Sequence, residues 1–444
     1  MTKISFALTG VLSVSLSIFA ADYTVHTWKK IQLSDQFWSE GANIGDFNKD
    51  GKMDVVSGPY WWAGPDFKQQ TAFMETSSRK SSGGSAPFKL GPISKISIPG
   101  FEGALGHNNA YSDNFFAFAH DFNHDGWDDI LIYGFPGQDA SWYENPKNEN
   151  ANGTGLWKRH KVFDVVDNES PHWGDITGDG DPEIVSNSGG TFGYASPDWD
   201  NPAQPWKWRA VTPKVGYQRF THGMGFGDVN GDGKPDILEA GGWWEATASA
   251  EWTKHPAKFG RGGAQMYVYD VNGDGLNDVI TSLEAHGYGL SWFEQKKDGE
   301  ISFVEHTFMG KTPKENKYGL VFSQLHALDL VDMDSDGLKD IVTGKRFWAH
   351  GAHGDADPGG AAVVYWFKLV RNADKSVDWL PYLIDNDSGV GTQVVAADVN
   401  GDKLPDVIVG NKKGTFVHIH SVKQATKEEW EKAQPKVVVQ TAAK

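Results

Sequence analysis

One phrase of oxygen-bearing side chains occurs seven times in this sequence, typified by DVNGDGKPDIL at residues 228–238. Its polar positions are the first, third, fifth and ninth, here Asp228, Asn230, Asp232 and Asp236. The same positions are held by Asp46, Asn48, Asp50 and Asp54, by Asp121, Asn123, Asp125 and Asp129, and by Asp270, Asn272, Asp274 and Asp278. Asp332, Asp334, Asp336 and Asp340 form the most acidic copy. Asp398, Asn400, Asp402 and Asp406 form a copy with Lys403 where the others have glycine, and Asp175, Asp179 and Glu183 one with Thr177 in third place. A hard divalent cation takes several oxygen ligands at about 2.4 Å, and a tight loop with polar groups at alternate residues can supply them. The ion-free alternative is a set of turns whose Asp and Asn side chains cap their own backbone. Seven copies that all keep the ninth acid favour Ca²⁺ as a structural cofactor.

A second set of chemically capable residues lies between these loops. His222 (QRFTHGMGFGD) and His326 (FSQLHALDLVD) each stand six residues before a loop's first Asp. The segment TSLEAHGYGLSWFE carries Glu284 and His286, and TGKRFWAHGAHGDADPGG carries Lys345, Arg346, His350 and His353. Three imidazoles brought to one point could hold Zn²⁺ or another divalent metal with an open position. The alternative is separate polar residues bonded to backbone or water, since no HxH or HxxxH spacing is present. His172 lies three residues before its loop, and His107 sits in the long insertion between the first two loops.

The elements that must position these residues are β-strands. Each loop runs into a short apolar, β-branched segment such as DILIYG, DVITS or DVIVG, so it joins two strands rather than two helices. A third strand recurs as SWYEN, SWFEQ and VYWFK, and a fourth as LWKRHKVFD, EWTKHPAKF, FVEHTF and DWLPYLID. The last loop is followed by two strand patterns only, then by KQATKEEWEKAQPK, which reads as helix or tail over 423–444. The missing outer pattern stands at the other end, in DYTVHTWKKIQLS (22–34). His26, His160, His255 and His306 fall on outer strands and read as packing residues rather than catalysts.

Composition narrows the possibilities. The chain has 444 residues, no cysteine and a net charge of −17. The acids are concentrated in the seven loops, and outside them basic residues are in excess, so the charge does not mark a nucleic-acid binder. Residues 1–20 (MTKISFALTGVLSVSLSIFA) read as a secretory signal peptide, which would leave a secreted or periplasmic protein with no stable membrane insertion. Without disulfides, stability must come from the core and from ions.

The repeated phrase resembles the FG-GAP or VCBS repeat over nearly the whole expected mature length. The resemblance implies an all-β fold like the integrin α-subunit head: a seven-bladed β-propeller of four-stranded blades over 21–422. The N-terminal strand would close the ring and the calcium loops would lie on the bottom face. In such a propeller the starts of the innermost strands and the loops between the second and third strands share the top face. His222, His286 and His326, on three successive blades, would then meet at one mouth. The chain is also loosely similar to the propeller domain of aldos-2-ulose dehydratase, which implies carbohydrate or a keto-sugar as partner and a metal-assisted lyase or dehydratase reaction. In that reading Glu284 or His350 abstracts a proton, Lys345 or Arg346 stabilises the enolate, and Trp61, Trp62, Trp243 and Trp244 stack on sugar; the alternative for the tryptophans is packing between blades. The other reading is a non-catalytic glycan- or protein-binding module stiffened by calcium.

Overall fold

The computed structural model describes residues 23–74, 111–112, 114–147, 155–249, 251–351 and 354–438. The expected signal peptide, His107 and His353 lie outside the described residues. The described chain is all-β apart from a 3₁₀ turn at Pro313–Glu315 and one short helix, Lys427–Ala433. A Thr426/Glu429 capping box starts that helix.

The strands form four-stranded antiparallel meanders. Asn43–Gly45, Asp54–Ser57, Tyr60–Trp62 and Gln70–Ala72 make the first. The long strand Lys158–Gly174 serves two meanders. Its first half pairs with Gln138–Glu144 and its second half with Glu183–Ser188, so it is the outer strand of one unit and the inner strand of the next. Met224–Gly227 leads the following unit and runs parallel to Gln265–Tyr269, the inner strand of its neighbour. Leu328–Val331, Asp340–Gly344, Val364–Arg371 and Val377–Asp385 make another. The last sheet joins Val394–Ala397, Asp406–Asn411 and Gly414–Ala425 to Tyr23–Ser34, with Trp28 opposite His420. Thr392 N, beside this sheet, donates to Glu40 O at 2.7 Å, beside the first.

Apolar side chains pack between neighbouring sheets rather than in one central mass. Ala264, Ile280 and Trp292 meet Ile341, Phe367 and Trp379. Val342 and Trp366 meet Val407 and Phe416. Ile408 and Val417 meet Val55 and Trp62, which joins the last sheet to the first. Each sheet is therefore covered on both faces, and strands such as Asp278–Ser282 are buried throughout.

The repeated phrases are tight turns between the first two strands of each unit. Asp46 accepts from Asp50 N at 3.0 Å and from Gly51 N at 2.9 Å, and Asn48 accepts from Asp50 N. The sixth residue is left-handed: Gly51 has φ 82°, Gly233 φ 85° and Lys403 φ 71°. A residue with a Cβ is disfavoured there by about 1–2 kcal/mol. Lys403→Gly should therefore stabilise the protein by about 1 kcal/mol, read as a higher urea midpoint at unchanged slope.

The ninth acid ties its loop to the neighbouring strand. Asp236 accepts from Val229 N at 3.0 Å and from Ala246 N at 2.8 Å, bracketing its own loop to the third strand. Asp54, Asp129, Asp278, Asp340 and Asp406 make the same pair of contacts. Glu183 keeps the contact to its own loop, at Ile176 N. The self-capping turn and the bracket thus coexist with the ligand spacing read from the sequence.

Candidate active site

His222 and His326 sit just before inner strands, and His286 sits in the connection between Asp278–Ser282 and Leu290–Asp298. Their ring centroids are 4.9 Å (His222–His286), 5.3 Å (His222–His326) and 4.5 Å (His286–His326) apart. One ring nitrogen from each falls within 4.8 Å of the others. His326 Nε2 lies 3.3 Å from His286 Nδ1. Two nitrogens bonded at about 2.05 Å to one tetrahedral ion are about 3.3 Å apart.

A frame of buried charge holds these rings. Arg346 Nε donates to Glu40 Oε2 at 3.2 Å and its Nη1 to Glu169 Oε2 at 3.0 Å. Nη1 also lies 3.1 Å from His326 Nδ1. Glu169 Oε2 is 3.5 Å from His222 Nε2 and 3.8 Å from His326 Nδ1. Burial opposes ionisation of Glu169, but His222, Arg346 and His286 outweigh it and hold the carboxyl well below its usual range. Burial, aided by the Arg346 charge, pushes the His326 imidazole far down, so that ring is neutral and can act as a ligand. Lys412, also buried here, is pushed down to about 8 by burial, against the pull of Glu40.

His286 and His350 are tied together by Asp355. Its Oδ1 lies 3.0 Å from His286 Nδ1 and 2.7 Å from His350 Nδ1, and Oδ2 accepts from His350 N at 3.0 Å. These imidazole contacts outweigh burial and hold Asp355 well below the usual carboxylate range. The His350 side chain is 52% exposed, against 0% for His326, so His350 is the imidazole on the solvent side.

Two residues with left-handed backbone stand beside the site. Gln324, two residues before His326, is fully buried with φ 60°, and Asn168, beside Glu169, has φ 85°. Such residues cost about 1–3 kcal/mol each and persist where the surroundings fix them. Gln324 O accepts from His326 N and from Arg346 N, so one strained residue sets the height of both side chains. His222 Nε2, Arg346 Nη2 and Glu40 Oε1 are buried without a hydrogen-bond partner among the described residues. A polar atom left so costs about 1–3 kcal/mol, and an ion, water or ligand would relieve it.

Several residues singled out from the sequence belong elsewhere. Trp61, Trp62, Trp243 and Trp244 are all buried and each belongs to an apolar cluster between sheets, so they are core and not platforms for sugar. Glu284 folds against Gly287 and makes no side-chain hydrogen bond or ion pair among the described residues. Lys345 is buried with its ammonium on Ser323 Oγ. Burial lowers its pKa, against the pull of Asp357 and Asp355. Glu40, Glu169, Asp355, Lys412 and Gln324 were missed from the sequence. His172 bonds to Met224 O in the interior. His160, His255 and His306 stack on Trp142, Trp243 and Trp292.

The FG-GAP-like repeat model matches residues 121–186 and 270–343, and the FG-GAP repeat model matches residues 390–420. No curated protein matches the chain. Among solved structures, an Agrocybe aegerita lectin that recognises non-reducing terminal N-acetylglucosamine is 16% identical, with a TM-score of 0.45, over 90% of this chain and 86% of its own. The exotype rhamnogalacturonan lyase YesX is 10% identical, with a TM-score of 0.41, over 89% of this chain and 72% of its own.

Proposed function

Because the chain is built on FG-GAP repeats, we propose that it is an exported, calcium-stabilised propeller that acts on carbohydrate as a metal-assisted lyase or dehydratase at its histidine-rich mouth. The meanders are read as seven blades closed by Tyr23–Ser34, with Ca²⁺ at the repeated loops on the opposite face. No helix among the described residues is long and apolar enough to cross a membrane.

The observation that carries this reading is the meeting of three imidazoles from successive meanders over a buried Arg346–carboxylate frame. A binding module has no need of that frame, and the paired strain at Asn168 and Gln324 marks a site whose geometry is imposed. His222, His286 and His326, which place one ring nitrogen each within 4.8 Å of the others, would hold the divalent ion. Such an ion supplies Lewis acidity toward a sugar carbonyl or carboxylate oxygen.

The remaining roles fall to the chain itself. Glu169, kept ionised by His222 and Arg346, orients His222 and His326. Asp355 fixes His350 through Nδ1, which leaves Nε2 to take a proton from carbon. The polar side chains gathered around the imidazoles and the loose resemblance to the propeller domain of aldos-2-ulose dehydratase support a sugar substrate.

The test is metal analysis with Zn²⁺ and Mn²⁺ titration of purified protein, followed by a screen of keto-sugars and uronates for new conjugated-carbonyl absorbance. One transition metal per chain, lost in His286→Ala with thermal stability changed by less than about 1 kcal/mol, is expected. Calcium alone, with glycan binding and no turnover, would replace the enzyme by the binding module.

A further inference from the structure

The outer parts of the meanders repeat a four-residue arrangement. In the Asp270 unit Trp292 stacks on His306, Glu294 takes a hydrogen bond or ion pair from that His at 3.0 Å, and Asn272 of the loop donates to Glu294 at 3.0 Å. The Asp228 unit repeats it with Trp243, His255, Glu245 and Asn230. The Asp332 unit keeps the tryptophan and changes the other three. Trp366 stacks on Tyr382 in place of His, Lys368 stands where Glu stands, and Asp334 stands where Asn stands. Asn with Glu becomes Asp with Lys, and the His that served the Glu is gone.

The Lys368 ammonium pairs with both Asp334 and Asp336. Those carboxylates and Asp332 place oxygens within 4.8 Å of one another, where a cation is needed. Other lysines near loops differ. Lys147 and Lys234 each reach one loop acid from side chains that are 48% and 65% exposed, whereas Lys368 is 19% exposed and bridges two.

We propose that the Asp332 loop takes the tethered Lys368 ammonium in place of a calcium ion, so the most acidic of the loops is the one that works without metal. A tethered charge is at effectively fixed high concentration, and a divalent ion would have to displace it as well as shed its own water. This rests on the reading that the Asn-type loops do bind calcium.

The test is Ca²⁺ titration by calorimetry after chelation. Lys368→Met should bind one more ion per chain than the natural protein, and Glu294→Gln, in the Asn-type Asp270 loop, should gain none. An unchanged ion count and affinity in Lys368→Met overturns the proposal. If the natural protein binds no calcium, the calcium reading fails by itself. Lys368 is then judged in chelator, where Lys368→Met should melt several degrees lower because three carboxylates lose their counter-charge. An unchanged melting temperature there overturns the proposal too.

Discussion

Removing calcium should lower the melting temperature by at least about 10 °C, and the loss should be larger at pH 8 than at pH 5. The ninth acids are the reason. Burial first, then repulsion from neighbouring loop acids, pushes Asp54, Asp236, Asp278 and Asp340 up to about 7, Asp129 to about 8 and Asp406 to about 6. Glu183 behaves in the same way, at about 7. Their ordinary values lie near 4. A carboxyl raised on folding contributes stability that is fully present below the unfolded value and is lost as pH rises through the folded one. The ion-free protein should therefore weaken between pH 4 and 8. Each group loses up to about 1.4 kcal/mol for every pH unit that separates its unfolded and folded pKa. Bound calcium would supply the missing positive charge, so the calcium-loaded protein should show little of that slope outside the Asp332 loop, where Lys368 stands in for the ion. Several such groups together reach the size of a whole domain's stability, about 5–15 kcal/mol. Calorimetric scans at pH 5 and 8, with calcium and with chelator after confirmed ion removal, read both effects. Identical curves in the two buffers at pH 8 would mean that the turns stand without ions.

The parts of this molecule written in local spacing could be read directly. The repeated phrase carries its own turn geometry, because Asp46 reaches Asp50 N and Gly51 N within one loop. Placing His222, His286 and His326 together needed the order of strands and loops and the propeller topology that the repeat resemblance implies. The frame around them could not be read that way. Arg346 meets Glu40 across 306 residues and Glu169 across 177, and nothing in SEGAN or DNESP marks either acid as its partner. The tryptophans misled for a different reason. Neighbouring rings in GWWE point to opposite faces of their strand, and a sheet covered on both sides buries both. Trp243 packs toward Met266 and Phe293, and Trp244 toward Val185 and Ile237.

Strand pairing also carries the last expectation: removing residues 23–34 should abolish recovery of a stable monomer. This strand runs antiparallel to Gly414–Ala425 along its length, and nothing else among the described strands pairs with that edge from outside. Trp28 stacks on His420 at 4.3 Å, and His26 Nδ1 lies 2.8 Å from His420 Nε2. Ile31 and Leu33 pack on the cluster that joins the last sheet to the first, and Lys30 reaches Asp385 of the preceding unit at 3.1 Å. Apolar side chains of this size contribute about 1.5–3 kcal/mol each when fully buried, so half-burial of three already amounts to about 3 kcal/mol before any ladder hydrogen bond is counted. Their loss would leave a long, open strand edge, which templates pairing between chains. The truncated protein should sediment as oligomers, and a synthetic peptide of residues 23–34 added during refolding should restore monomer while a scrambled one does not. Truncated protein that sediments as monomer and melts with the natural protein would show that the last sheet does not depend on this strand. Rescue by the peptide separates a missing strand from general misfolding, since only a preformed edge of matching register can accept it.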